Sequence, residues 1–405
     1  MASVAADEVV AELYARGADA DAVRAVVERG LGRAMLVGPL PLAEAQELRK
    51  AAKEAGALAV LTKVAGRADP ERTEVVVLGS LGQLAAAAAK VGGEAGARMA
   101  AAKEGFERPA VRGLRCCERE LTLGEKTLVM GIVNMGPDSF SHDGLAGNVK
   151  AAIAQGKRMV EEGADIIDVG GESTRPGAEP VSLEEELGRV LPVVEGLASE
   201  VAAVSVDTYK SAVARAALEK GAVMVNDISG LHADEEMAGV AAEAGAAVVV
   251  MHIQGTPRDM QKNPRYGDVI GEIGDYLEEG IARAEAAGLT REQVVVDPGM
   301  GFGKTLEHNL EILRRLREFR GLGCAVMVGT SRKSMLGMIL DLPVEERVEG
   351  TAATVALAIQ GGADIVRVHD VKEMARVARV ADAIVRVKHE PPESEHKWAD
   401  RGERR

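Results

Sequence analysis

The chain has 405 residues, 46 of them Gly; 47% are hydrophobic, yet only 2% are aromatic. This balance excludes a collagen repeat, a disulfide scaffold and a largely disordered chain, and the shortage of rings argues against a stacking platform for single-stranded nucleic acid. A net charge of −14 argues against nucleic acid or a membrane surface as partner.

Residues 1–113 carry 15 acidic and 15 basic residues, so the whole charge deficit lies in 114–405, together with all seven His. The Cys are Cys116, Cys117 and Cys324. An adjacent pair plus a distant single residue makes neither a disulfide framework nor a spaced zinc motif. With no signal-like leader and no apolar run of membrane-spanning length, the expectation is a cytoplasmic protein.

Residues 1–95 read as a small α/β N-terminal domain. Helices are predicted over 7–16, 21–29, 42–55 and 81–91, and strands over 34–38, 58–62 and 74–79. The segment contains no His, no Cys and no Gly-rich phosphate loop, so docking or scaffolding is its expected role. Residues 96–118 read as a linker, polar and charged around Pro109, and 389–405 as a polar tail.

Residues 119–388 repeat one pattern: an apolar run, a polar loop, an amphipathic helical stretch. The runs are 128–134, 165–170, 203–207, 223–227, 247–252, 294–297, 325–329 and 364–369. Helices are predicted over 145–162, 183–199, 209–219, 234–244, 268–287, 306–317, 346–360 and 371–387. Gly163-Ala, Gly221-Ala, Gly245-Ala and Gly362-Ala supply helix stops. This pattern predicts a (β/α)8 TIM barrel rather than a doubly wound sheet.

In such a barrel, chemistry gathers at the C-terminal ends of the strands. Those ends carry Asn134, Asp168, Asp207, Asn226 with Asp227, His252, Asp297, Ser331-Arg332-Lys333, and Arg367 with His369. Any one of these could be only a cap or a turn residue; their convergence on one mouth predicts a site. Asp207, Asn226 and Asp297 suit a flat heterocycle with adjacent N–H donors. Arg175, Lys333, Arg367 and His369 suit an anion, and Asn134 is a neutral oxygen ligand for Mg²⁺ beside phosphate. Two motifs read otherwise. GMGFGKT (299–305) lacks the first Gly of a P-loop, because position 298 is Pro298. His252, with no second His nearby, reads as a structural histidine rather than a metal ligand.

The segments MGIVNMGPDSFSHDG (130–144), DVGGESTRPGA (168–178), SVDTYK (205–210), VNDISG (225–230), MHIQGTP (251–257), DPGMGFGKT (297–305), GTSRKSMLG (329–337) and RVHD (367–370) together resemble the dihydropteroate synthase family, in its order, over about 120–388. The resemblance implies a pterin-binding barrel in folate biosynthesis. This transferase condenses 6-hydroxymethyl-7,8-dihydropterin diphosphate with 4-aminobenzoate to give dihydropteroate and pyrophosphate. It implies that Asp207, Asn226, Asp297 and Lys333 hold the pterin, and that Asn134, Arg367 and His369 hold the pyrophosphate, Asn134 through Mg²⁺. Phe140, Thr174, Arg175, Pro176, Phe302 and Ser334 would form the aminobenzoate pocket, with Asp207, Lys333, Arg367 and His369 carrying the chemistry. It also implies a homodimer through the later barrel helices. Gly136 and Met300 depart from the commonest family pattern.

Two other readings share part of this pattern. A methyltetrahydrofolate–corrinoid methyltransferase shares the barrel and the Asp/Asn clamp but needs neither SRKS nor RVHD. A non-catalytic pterin-binding scaffold would not need the full set of site residues.

Overall fold

The computed structural model describes residues 33–62, 72–107, 112–136, 148–175, 177–199 and 203–386. The helices predicted over 7–16 and 21–29, the tail, Phe140 and Pro176 lie outside the described residues. The chain divides into one unit reaching Glu104 and another spanning Gly105–Arg386.

In the first unit, β1 (Arg33–Pro41), β2 (Leu58–Thr62) and β3 (Arg72–Gly79) form an antiparallel sheet in the order β1–β3–β2. The helices are α1 (Leu42–Glu54), α2 (Leu81–Ala88) and α3 (Gly93–Glu107). Strand alternation buries Val75 and Val77 but not Val76 or Leu78. The buried pair packs with Val37, Leu40, Leu48, Leu84 and Met99. A capping box between Ser80 and Gln83 starts α2.

The expected linker over 96–118 is folded over most of its length. Ala95 and Met99, one turn apart on α3, are fully buried, while Glu94 and Arg98 form an exposed-side network with Arg72. Arg98, one of the charges that suggested a linker, belongs to this helix.

The second unit opens with a hairpin, β4 (Arg112–Cys116) and β5 (Arg119–Leu123). Its Leu114, Cys116 and Leu123 join the apolar cluster at the lower end of the barrel. Cys117 N–H donates to Gly245 O at 2.7 Å, and Arg112 pairs with Asp364 at 2.6 Å. A fully buried Leu is worth about 1.5–3 kcal/mol, so the hairpin is part of the barrel's stability.

Eight parallel strands then close on themselves: β6 (Leu128–Asn134), β7 (Ile166–Gly170), β8 (Val204–Asp207), β9 (Met224–Asp227), β10 (Ala247–Met251), β11 (Val294–Asp297), β12 (Ala325–Val328) and β13 (Ile365–Val368). Closure is the β13–β6 pairing, from Ile365↔Leu128 to Val368↔Gly131. All eight predicted runs are barrel strands. Around them lie α4 (Val149–Glu162), α5 (Leu183–Ala198), α6 (Ser211–Glu219), α7 (Met237–Ala244), α8 (Val269–Ala286), α9 (Leu306–Arg314), α10 (Ser334–Leu340), α11 (Val348–Gln360) and α12 (Val371–Val385). The short α10 is additional to the prediction. The Gly stops act as expected: Gly163 and Gly245 take φ 113° and 65° and close α4 and α7. No described helix is long and apolar enough to cross a membrane.

The period of two along each strand places the site. Leu128, Met130, Ile166, Met224, Val249, Val295, Met327 and Ile365 fill the barrel's interior. One alternation further on, the same strand faces carry Ile132, Asp168, Asp207, Asn226, Met251, Asp297 and Arg367. A polar layer therefore sits on an apolar plug, at the C-terminal mouth.

Candidate active site

One cavity at this mouth is lined by Asn134, Thr174, Arg175, Asp207, Asn226, Asp297, Phe302, Lys333, Ser334, Arg367 and His369. These are all the residues predicted for the site that the structure describes. Ile228, Met251, Met260 and Met300 add apolar wall.

The floor is a charged network. Arg367 Nε donates to Asp168 Oδ2 at 2.7 Å, and its Nη2 donates to Asp207 Oδ2 at 2.7 Å. The same Asp168 oxygen accepts from Asn226 Nδ2 at 2.9 Å. The sequence reading named Asp168 as a strand end but gave it no role, although it is 0% exposed and holds two site residues. Its neighbour in register, Ser205, is likewise buried, and both Asp168 Oδ1 and Ser205 Oγ lack a hydrogen-bond partner.

Electrostatics follow from this crowding. Burial pushes Asp207 up to about 7, against the pull of Arg367, and the Asp168 carboxylate adds to the rise. Burial also raises Asp297, whose Oδ1 accepts from Gly299 N–H at 2.7 Å. Burial, then the Arg367 charge, brings Lys333 down to about 8. Its Nζ lies 4.2 Å from the centre of the Phe302 ring. The floor thus offers acceptors from two carboxylates and an amide, with a readily titrated amine at its edge.

His369 behaves differently from the cation allowed by the sequence. Its backbone N–H donates to Ser331 Oγ at 3.1 Å, and its Nδ1 lies 3.1 Å from the same oxygen. A hydroxyl can accept two bonds or accept one and donate one, so the direction of the second bond goes with the ring tautomer. Burial, then the charges of Arg332 and Arg367, hold His369 down to about 3. The ring is neutral near pH 7. Arg332, adjacent to Lys333, pairs through Nε with Asp370 Oδ2 at 3.0 Å.

The two motifs set aside in the sequence also settle. Lys304 of GMGFGKT is 4% exposed, and its Nζ lies 2.8 Å from His252 Nδ1. Neither residue lines the cavity. A Cβ on Gly136 would meet Ser173 N at 3.5 Å, an ordinary contact, so the backbone there does not demand Gly.

A family model described as "Pterin binding enzyme" matches residues 130–369. The dihydropteroate synthase of Synechocystis sp. is 51% identical over 265 residues, covering 65% of this chain and 92% of the relative. The crystal structure of Yersinia pestis dihydropteroate synthase with a sulfonamide drug complex superposes with a TM-score of 0.65 at 42% identity, covering 67% of this chain and 99% of that one. Xanthomonas albilineans dihydropteroate synthase with 4-aminobenzoic acid gives 0.63 at 43%, covering 68% and 100%. With the barrel, the filled set of strand-end residues and these likenesses in agreement, the chain belongs to the pterin-binding enzymes and, within them, to the dihydropteroate synthases.

Proposed function

We propose that the residues of this cavity divide the synthase reaction between a pterin floor and an anion-binding rim. The observation that carries the assignment is the convergence of Asp207, Asn226, Asp297, Lys333 and Arg367 on one cavity. Asp207, Asn226 and Asp297 receive the N–H edge of 6-hydroxymethyl-7,8-dihydropterin diphosphate, and Lys333 donates to its ring acceptors. Thr174, Arg175, Phe302 and Ser334 form the 4-aminobenzoate end. Phe140 and Pro176 are assigned to the same end from the sequence alone.

The leaving diphosphate is met by Asn134, by the His369 ring and by the Arg367 charge. The electron-rich dihydropterin delocalises positive charge at its CH₂, so C–O cleavage can run ahead of amine attack. Asp207, ionised beside the ring, then stabilises that charge as it develops. The aryl amine is weakly basic and nucleophilic without prior deprotonation, so the site needs no dedicated strong base.

Asn134 would hold Mg²⁺ carried in on the diphosphate. Its amide oxygen is a hard neutral donor at the cavity wall. Among the described residues, no group of three or more His, Cys, Asp or Glu could hold a metal without the substrate. When bound, the ion supplies charge neutralisation on the diphosphate oxygens.

A homodimer is proposed through α10–α12. Met338, Leu357, Val380 and Ile384 are large apolar side chains left exposed there, Ile384 by 71%. Ile384→Asp should convert a dimer to monomer in sedimentation. Three free thiols support a reducing, cytoplasmic setting.

The experiment is to supply both substrates with Mg²⁺ and follow pyrophosphate release and dihydropteroate formation. Asp207→Ala and Lys333→Ala should abolish both. Undiminished release in both variants would overturn the division of roles.

A further inference from the structure

The loop after β11 contains a buried amine that no step of the reaction uses. Lys304 is 4% exposed. Its Nζ lies 2.8 Å from His252 Nδ1 and 3.0 Å from Phe302 O. Nζ donates to Phe302 O, and Nδ1 of His252 accepts from it when the amine is protonated. Burial and the Lys304 charge hold the imidazole down to about 2, and burial holds Lys304 well below the usual lysine range.

The bonds join two backbone segments already in close approach. A Cβ on Gly299 would meet His252 O at 1.9 Å, and one on Gly303 would meet Gln254 O at 2.6 Å. The loop therefore lies directly on the chain leaving β10. Other bonds fix its flanks. Gly301 N–H donates to Asn309 Oδ1 at 2.8 Å, and Tyr266 OH donates to Gly303 O at 2.8 Å. Phe302 lies between these ties. Its ring carries Lys333 Nζ on one face and packs with Ile228, Met251 and Met260. The carbonyl of Phe302 is the loop atom that Lys304 grips.

We propose that Lys304 and His252 are a positioning pair that sets the Phe302 ring, and through it the 4-aminobenzoate end of the cavity. The proposal rests on the assignment of Phe302 to that pocket. A flat aromatic substrate is sensitive to the placement of the ring that grips it. Loss of the pair lets Phe302 drift while leaving Asp207, Asn226 and Asp297 in place. The consequence is selective, falling on one substrate and not on the other.

Steady-state kinetics of the full-length chain, with each substrate varied in turn, test this. Lys304→Met keeps the stem and removes the donors. His252→Leu removes the acceptor. His252→Asn restores an acceptor oxygen near the former Nδ1. The first two should raise KM for 4-aminobenzoate about tenfold, the range expected for a lost buried hydrogen bond. The pterin diphosphate KM and kcat should stay within about a factor of two or three, and His252→Asn should recover most of the loss. Should Lys304→Met fail to fold, His252→Leu against His252→Asn carries the same comparison. A fall in kcat with both KM values unchanged would mean that the pair is only structural and would overturn the proposal. Phe302→Ala separates the two layers. If it raises the aminobenzoate KM and Lys304→Met does not, the positioning pair fails alone. If Phe302→Ala leaves that KM unmoved, the pocket assignment fails first and takes the proposal with it.

Discussion

Asp168→Asn changes one atom type at the centre of the floor, and its effects can be worked out from the contacts. In the native site one buried oxygen accepts from both Arg367 and Asn226. Removing one partner of a buried ion pair costs about 3–5 kcal/mol when the other is left alone. Here Arg367 keeps Asp207 at 2.7 Å, and the new carboxamide still offers an acceptor, so a loss of about 2 kcal/mol is expected. For a domain of this size that lowers Tm by roughly 4–8 °C. The sharper consequence is electrostatic. Asp168 is one of the charges holding Asp207 up near 7, and without it Arg367 leans more on Asp207. Both changes favour the ionised form, so Asp207 titrates at lower pH. If ionised Asp207 is what accepts the pterin N–H, kcat/KM for the pterin diphosphate rises with pH through about 7 in the native chain. In Asp168→Asn that limb moves toward acid, even as the maximum falls. The assay is kcat/KM for the pterin substrate across pH 5–9, alongside thermal unfolding. An acid limb that stays in place or moves up would refute the reasoning.

The same profile carries an alkaline limb. Lys333 loses its proton above about 8, so kcat/KM should peak between about 7 and 8; an arginine-like plateau to higher pH would show that another group donates. Lys333→Ala should lower kcat/KM by about a hundredfold or more, measured with pterin in limiting amounts, whereas His252→Ala should retain turnover within about tenfold; equal losses would misplace His252. Removal of residues 1–104 should leave turnover in place. Removal through Gly124 should lower thermal stability as well, because the β4–β5 hairpin packs Leu114 and Leu123 into the barrel; equal melting of the two truncations would contradict that role.

The barrel was legible because two periodicities alternate without conflict. Each apolar run is short and bounded by polar loops, and Gly at helix ends leaves few competing registers. The misreading over 96–118 has a physical source. Among the described side chains of this helix Ala95 and Met99 are buried one turn apart, a stripe too narrow to stand out from the Ala, Gly and charged residues around it, and near Pro109 that composition resembles a linker. The short α10 was missed because seven residues, SMLGMIL, are too few to display a helical period.

The site residues were legible for a reason that also explains the omission of Asp168. Strand ends reach the cavity, and a residue that touches a ligand is distinguished by its chemical type: carboxylates for N–H edges, cations for phosphate. Asp168 does not line the cavity; it acts through its neighbours, and its role depends on what Arg367 and Asn226 do with their donors. A sequence displays donors and acceptors but not their pairing. One signal was nonetheless present. Arg367 shares its strand face with Ile365, a position in the barrel interior, and a guanidinium there requires a buried counter-charge. Alternation from Ile166 places Asp168 at the corresponding level of β7, close enough to supply it. The neutrality of His369 lies beyond that kind of inference. It follows from burial beside Arg332 and Arg367, and only the folded geometry also brings the His369 N–H and Nδ1 within reach of one oxygen, Ser331 Oγ.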